Sequence, residues 1–266
     1  MNIRSKLTLV VIASILFSAI PATFVVKSYV QKNILEKEIN DIISITDHQT
    51  DVISKRFWQA EPKLKGLARL LQEAIKKPTS AEELNDFYTT MELNQDGVWR
   101  NRRSNYEGLT ESGIFLPANS RETDQQKVEH LRIKRVMDTF GSAASKRNEN
   151  IWFLSLDRSE VIFDKTFPNF VYEQQADNDY TKTPWVTYTS PEYNPKRELI
   201  FTPPLFDPVP RVWMVSALYP LDIDQKWIGT IGEDMQLTSV LAFMFQQQQY
   251  YPDTQHFLTD KNGQFI

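Results

Sequence analysis

The apolar positions change their spacing along the chain, and each spacing predicts a different element. Leu7 to Val26 runs for 20 residues without a charged side chain, the length that spans a hydrocarbon core as a helix at about 1.5 Å per residue. Arg4 and Lys6 precede it, so the positive-inside bias predicts a cytoplasmic N-terminus and an extracytoplasmic remainder. A cleaved signal peptide is the competing reading. Such segments have a shorter apolar region closed by an A-x-A-like site, whereas no clean site occurs around Ala19 to Thr23 and Pro21 interrupts it. An uncleaved anchor is expected, and with no second run of this kind before Ile266 the chain as given crosses the membrane at most once.

From Ser28 to about Lys77 the apolar residues Leu35, Ile39, Ile42, Ile53, Leu64, Leu67, Leu71 and Ala74 recur at helical spacing, which predicts a long stalk helix. Thr46, Gln49 and Arg56 interrupt the apolar seam. A stalk that packs first on a second copy, giving a homodimer, and later on its own domain accounts for this; solvent-facing positions in a monomer account for it equally. Pro62 removes a backbone donor and predicts a kink or a fresh helix start. Lys77-Pro78-Thr79-Ser80 ends the stalk, and Ser80 with Glu83 has the spacing of a capping box for a helix from Ala81 to about Met91. Residues 92–123 are polar and read as irregular. A helix is expected from Asp124 to Phe140, closed by Gly141.

Beyond this the period shortens to that of strands. Asn150 to Leu156 and Glu160 to Lys165 flank the turn formers Asp157, Arg158 and Ser159 and predict a hairpin. Arg197 to Phe201, Val212 to Tyr219 and Trp227 to Gly232 predict three more strands, the last two joined as antiparallel neighbours by the short link Asp222 to Lys226. The expected fold is α+β, with an N-terminal transmembrane helix, a long stalk helix and a PAS-like antiparallel sheet of about five strands with flanking helices. The expected divisions are 1–27 for the cytoplasmic tip and span, 28–78 for the stalk, 79–240 for a membrane-distal module, and 241–266 for a connector and the opening hairpin of a further module.

Composition narrows the chemistry. The 266 residues carry 30 basic and 34 acidic side chains, with 22 and 19 in residues 1–150 against 8 and 15 in 151–266. The later part therefore favours cations. Absence of cysteine excludes disulfides, thiolate catalysis and Cys-ligated metals, and fits an oxidising compartment. His48, His130 and His256 are too far apart for a helical metal motif and read as surface or helix-face residues. No nucleophile elbow or phosphate-binding glycine loop occurs. Asp260-Lys-Asn-Gly263 lacks the remaining ligands of a calcium loop and reads as a turn. The basic cluster from Trp99 to Arg103 reads as a solvated or carboxylate-paired surface rather than a nucleic-acid contact. No catalytic residues, metal, cofactor or nucleic-acid partner are expected.

The sequence does offer a binding constellation. Tyr180, Trp185 and Tyr188 lie among acids in the stretch from Asp177 to Pro191, and Asp207, Trp213 and Asp234 follow. Aromatic faces with carboxylates at the rim suit a small organic cation in a partly dry pocket. In the alternative, Trp185 and Trp213 are core, Asp207 caps a turn, and the pairs Asp177/Asp179 and Asp222/Asp224 are solvated turn residues.

The span, the stalk, the hairpin from Ile151 to Lys165, the segment from Asp179-Tyr180 to Pro184-Trp185, the strand from Trp213 to Pro220 and the close from Trp227 to Leu237 together resemble the extracytoplasmic double Cache sensor domain of bacterial receptors. The most specific part is Gly232-x-Asp234-Met235-x-Leu237. The resemblance implies the ligand-sensing part of a receptor in the cytoplasmic membrane, facing the periplasm or exterior, with histidine-kinase, diguanylate-cyclase or chemotaxis output. It implies pocket residues at Tyr180, Trp185 and Asp234. Amino-acid-binding members place an Arg two residues before the Trp and an aromatic after it; Thr183 and Val186 stand there, so the carboxylate clamp is missing and an amine or another cationic or neutral metabolite is expected. Two rivals remain: a membrane-tethered extracytoplasmic enzyme, and a structural or adhesion module whose aromatic cluster is core.

Overall fold

The computed structural model describes residues 3–118, 123–144, 150–239 and 242, with the side chains of 4–13, 16, 18 and 56 outside the description. The chain divides into two compact units, Met1–Ser54 and Lys55–Ile266. One helix, α1 (Ile3–Ile75), supplies the described part of the first unit and continues into the second. In the first unit Phe17, Ile20, Phe24, Val25, Val26, Ile34, Leu35, Ile39 and Ile42 are exposed. Among the described residues no helix is long and apolar enough to cross a membrane; the expected span from Leu7 to Val26 is helical, and half of its side chains lie outside the description. Thr46 satisfies its hydroxyl locally by donating to the Ile42 carbonyl at 2.8 Å. Gln49 is buried, which a solvent-facing reading did not anticipate.

Pro62 does not interrupt α1. Its missing hydrogen bond costs a few kcal/mol, but Ala60, Leu64, Leu67 and Leu71 around it are fully buried in the second unit's core, and tertiary packing outweighs local preference. The helix stops at Ile75, ahead of Pro78. Helix α2 (Ala81–Thr90) begins as expected: the Ser80 hydroxyl accepts from the Glu83 amide at 3.2 Å and donates to its carboxylate at 3.1 Å.

Residues 92–123 depart from expectation. They contain β1 (Met91–Leu93), β2 (Val98–Asn101) and β3 (Gly113–Pro117), strands too short and too polar at their edges to show an alternating pattern. Arg100, expected at a solvated surface, is buried on β2. Its guanidinium donates to Asp96 Oδ1 at 2.9 Å and to the carbonyls of Val171 at 2.6 Å and Gln174 at 3.0 Å, so carboxylate pairing was right and solvation was not.

Helix α3 (Asp124–Ala144) runs past Gly141, which is therefore no terminator. A Cβ there would collide with the Phe163 ring, so the glycine lets the helix lie close to the sheet. His130 on α3 is buried rather than superficial: Nδ1 meets the Gln126 carbonyl at 2.7 Å and Nε2 meets the Ser159 hydroxyl.

The expected hairpin is present as β4 (Ile151–Ser155) and β5 (Glu160–Phe163). Short helices α4 (Phe170–Glu173) and α5 (Pro184–Thr187) flank a 3-10 turn at Tyr180–Lys182. Strands β6 (Ile200–Phe201), β7 (Leu205–Asp207), β8 (Val212–Ile223) and β9 (Lys226–Gln236) complete the sheet. Asp224 and Gln225, with φ of 48° and 64°, form the tight link between β8 and β9, the left-handed pair that a hairpin of this twist requires. Among the described residues nine strands, rather than about five, are ordered β1-β2-β3-β5-β4-β9-β8-β6, with β7 on β8, and every pairing is antiparallel. The connector and second hairpin expected over 241–266 lie outside the described residues, residue 242 excepted.

Strand alternation sorts the sheet into two apolar faces. Ile151, Phe153, Val161, Ala217 and Ile231 pack with α1 and with Leu131, Ile133 and Met137 of α3. Trp152, Leu154, Ile162, Met214 and Leu218 pack on the other side beneath Phe170, Val171, Tyr180, Trp185 and Val186. The second face carries the candidate site.

Candidate functional site

Residues 164–191 cross this face without strands, held by side-chain caps and buried anchors. Asp179 Oδ1 accepts from the Thr181 amide at 3.0 Å and sets the turn that presents Tyr180. Pro184 at the first position of α5 starts the turn that drives Trp185 into the sheet. Beneath them β9 contributes Asp234, β5 Glu160 and β7 Asp207. Gly232, two residues before Asp234 and on the same face, leaves room for the Trp152 indole that a Cβ would strike.

Glu160, Tyr180, Trp185, Asp207, Asp234 and Trp152 thus enclose a hollow of about 20 Å³, room for one water-sized group. The Asp234 carboxylate is its polar floor. Oδ1 accepts from the Ser216 hydroxyl at 2.5 Å, while Oδ2 accepts from Asn150 Nδ2 at 2.8 Å and Trp152 Nε1 at 2.9 Å. Ser216 in turn accepts from Trp185 Nε1 at 2.9 Å. Trp185 and Asp234 are therefore joined by a single hydroxyl. Asp207 Oδ1 accepts from the Val209 amide at 2.9 Å and the Tyr180 hydroxyl at 3.3 Å.

Three carboxyl groups are buried here, and no lysine or arginine lines the hollow. Burial raises the Asp234 carboxyl to about 7 against three donated hydrogen bonds, and raises Asp207 to about 6. Glu160 is held well above the usual carboxylate range by burial, reinforced by the charge of Asp207. The Tyr180 hydroxyl is likewise held protonated by burial beside Glu160 and Asp207. Desolvation dominates throughout, because each anion has lost water without gaining a cation. Among the described residues no group of three His, Cys, Asp or Glu side chains is arranged to hold a metal ion.

Four of the six expected site residues, Tyr180, Trp185, Asp207 and Asp234, meet at this hollow. Two do not. Tyr188 stacks on Tyr193 at 4.4 Å with nearly parallel rings. Trp213 is 53% exposed and packs on Phe206; an odd position on β8 points away from the face that Met214, Ser216 and Leu218 occupy. Glu160, Asn150, Trp152 and Ser216 escaped sequence reasoning. For Glu160 one signal was available, an acid opening the apolar strand Glu160-Val-Ile-Phe163.

A second cavity of about 590 Å³ adjoins the same loops, with Glu173, Asp177, Asn178, Pro208 and Arg211 in its walls. The two spaces share no lining residue, but the same loops supply both: Asn178, Pro208 and Val209 line the larger one, and Tyr180 and Asp207 line the hollow.

No protein-family model matches the chain, and no curated protein matches it. Solved structures do. The ligand-binding domain of Mlp24 with asparagine is 21% identical over 35% of this chain and 36% of that one, with a TM-score of 0.29. The ligand-binding domain of the Pseudomonas aeruginosa PAO1 amino-acid chemoreceptor PctC with GABA is 15% identical over 51% of this chain and 55% of that one, with a TM-score of 0.38. The ligand-binding domain of the Campylobacter jejuni chemoreceptor Tlp3 with L-norvaline is 16% identical over 76% and 67% of the two chains, with a TM-score of 0.39. The chain spans about a third to a half of the length of the first two. All three are ligand-binding domains, and PctC and Tlp3 are named as chemoreceptors.

Proposed function

We propose that this chain is the ligand-sensing, outward-facing region of a membrane-anchored bacterial receptor, that it binds a small organic cation, and that it makes and breaks no covalent bonds. One observation carries the reading: three buried carboxyl groups, Glu160, Asp207 and Asp234, share a hollow with four aromatic side chains and no cationic one. Such an arrangement costs folding free energy unless something positive enters, and the faces of Tyr180 and Trp185 favour the same guest. Thr183, standing where amino-acid-binding members of the resembling family carry Arg, supplies no guanidinium for a ligand carboxylate. The hollow takes a charged head group, and the adjoining space of about 590 Å³ accommodates an organic body.

The anchor is the helical stretch from Leu7 to Val26, supported by its uncharged sequence and by the exposure of Phe17, Ile20, Phe24, Val25 and Val26. The output is a histidine kinase, a diguanylate cyclase or a chemotaxis transducer. Signalling follows from population shift: a ligand gripped between the 177–207 segment and the sheet favours one packing of the sheet on α1, with a coupling of about 1–3 kcal/mol.

Calorimetric titration with a panel of amines and amino acids tests this. Heat from one or more amines is expected, and tight binding of a simple amino acid with no response to any amine rejects the cationic ligand.

A further inference from the structure

Asp234, the acid that the family pattern singles out, is already well supplied with donors: Ser216, Asn150 and Trp152 occupy both of its oxygens. Glu160 is not. It is 3% exposed, it lines the hollow, and its Oε2 meets no donor among the described residues. The Gln174 side chain lies beside this carboxyl group, and Gln174, also 3% exposed, leaves its own Oε1 without a donor among the described residues. Two unmet acceptors therefore belong to neighbouring side chains. Their placement is fixed from behind. The Gln174 amide closes α4 on the Phe170 carbonyl at 3.1 Å, and the Gln174 carbonyl is held by buried Arg100 at 3.0 Å. β5 holds Glu160 through its pairing with Leu154 and Phe115 on either side. Two buried acceptors with no donor are unfavourable by themselves, and a single group carrying several N–H bonds and a positive charge satisfies both.

We infer that Glu160 and Gln174 form the seat for the ligand's ammonium group, with Asp234 acting behind them as a positioning residue, and that the site takes primary ammonium ions in preference to quaternary ones. This assignment rests on the cationic-ligand reading above. A quaternary ammonium has the charge but no N–H, so it leaves both acceptors unmet and binds about tenfold or more weakly.

The test is calorimetric titration of the intact chain at pH 7.5 with propylammonium and with propyltrimethylammonium. Wild-type protein is expected to prefer propylammonium by about tenfold or more. Glu160→Gln, whose amide can donate to Gln174, should keep the melting temperature while losing at least tenfold in propylammonium affinity. Gln174→Met should weaken binding severalfold with the carboxyl group still in place, and Asp234→Asn should weaken it less than Glu160→Gln does. Equal affinity for the two ions, or undiminished propylammonium binding by E160Q, overturns this assignment alone. Wild-type protein that binds neither ion, or a simple amino acid instead, overturns the cationic reading and the seat together.

Discussion

A carboxyl group sealed among aromatic rings makes its burial measurable through its proton. Asp207 and Asp234 hold their protons to about 6 and about 7, above an ordinary value of 3.8, because burial penalises the anion. Folded protein therefore binds more protons than unfolded protein between 3.8 and those values. The stability contributed by these groups is full at the acid end and is lost as pH rises through about 6 and then about 7. At ~1.4 kcal/mol per pH unit for each group this amounts to a few kcal/mol. Glu83 runs the other way, drawn down to about 2 mainly by its hydrogen bond with Arg132, and its contribution fails only in acid below this window. Ligand-free protein is thus expected to melt at a lower temperature at pH 8 than at pH 4.5. Asp234→Asn should flatten the curve, and thermal melts that rise with pH across this range contradict the assignment. At this scale residue type pointed to Tyr180, Trp185, Asp207 and Asp234, but it misplaced Trp213, because which face a strand residue occupies is set by its pairing partners.

Elements show where local preference yields to packing. Glycine inside a helix normally costs up to ~1 kcal/mol against alanine, and by that rule Gly141 should end α3. It instead lies within the helix, its missing Cβ leaving room for the fully buried Phe163 ring. Overpacking a core costs ~1–3 kcal/mol, so the packing term wins. Gly141→Ala is expected to lower the melting temperature despite its better helix propensity, and a rise in melting temperature would show that the helix can retreat from the sheet. Pro62 teaches the same lesson with the opposite sign, since α1 runs through it on the strength of Ala60, Leu64, Leu67 and Leu71. The Ser80 cap and the hairpin at Asp157 to Ser159 were legible because their signals are local: a hydroxyl three residues before its amide partner, and turn formers between apolar runs.

Across the whole molecule, the two units differ in what covers their apolar residues. In Lys55–Ile266 they are enclosed on both faces of the sheet. In Met1–Ser54 Ile34, Leu35, Ile39 and Ile42 are exposed, at the spacing a second helix would cover. A homodimer through this stretch, one of the two readings of the stalk's seam, predicts that Ile39→Glu with Ile42→Glu shifts the chain toward monomer in analytical ultracentrifugation, without lowering the melting temperature of the sheet unit. A dimer of unchanged strength would remove the stalk as its interface.

The sequence by itself determined that a long helix precedes an antiparallel α+β module, that the hairpin at residues 150–165 and the paired strands after residue 212 lie in it, and that aromatic residues and acids converge late in the chain. Those features are written in periodicity, caps and turn formers within a few residues of one another. Tertiary structure alone decided that residues 91–117 are three strands, that Arg100 and His130 are buried, and that Glu160 shares a hollow with Asp207 and Asp234. The reason is physical: the environment of a buried polar group is set by partners distant in the chain, 84 residues apart for Asn150 and Asp234, and no local pattern records that distance.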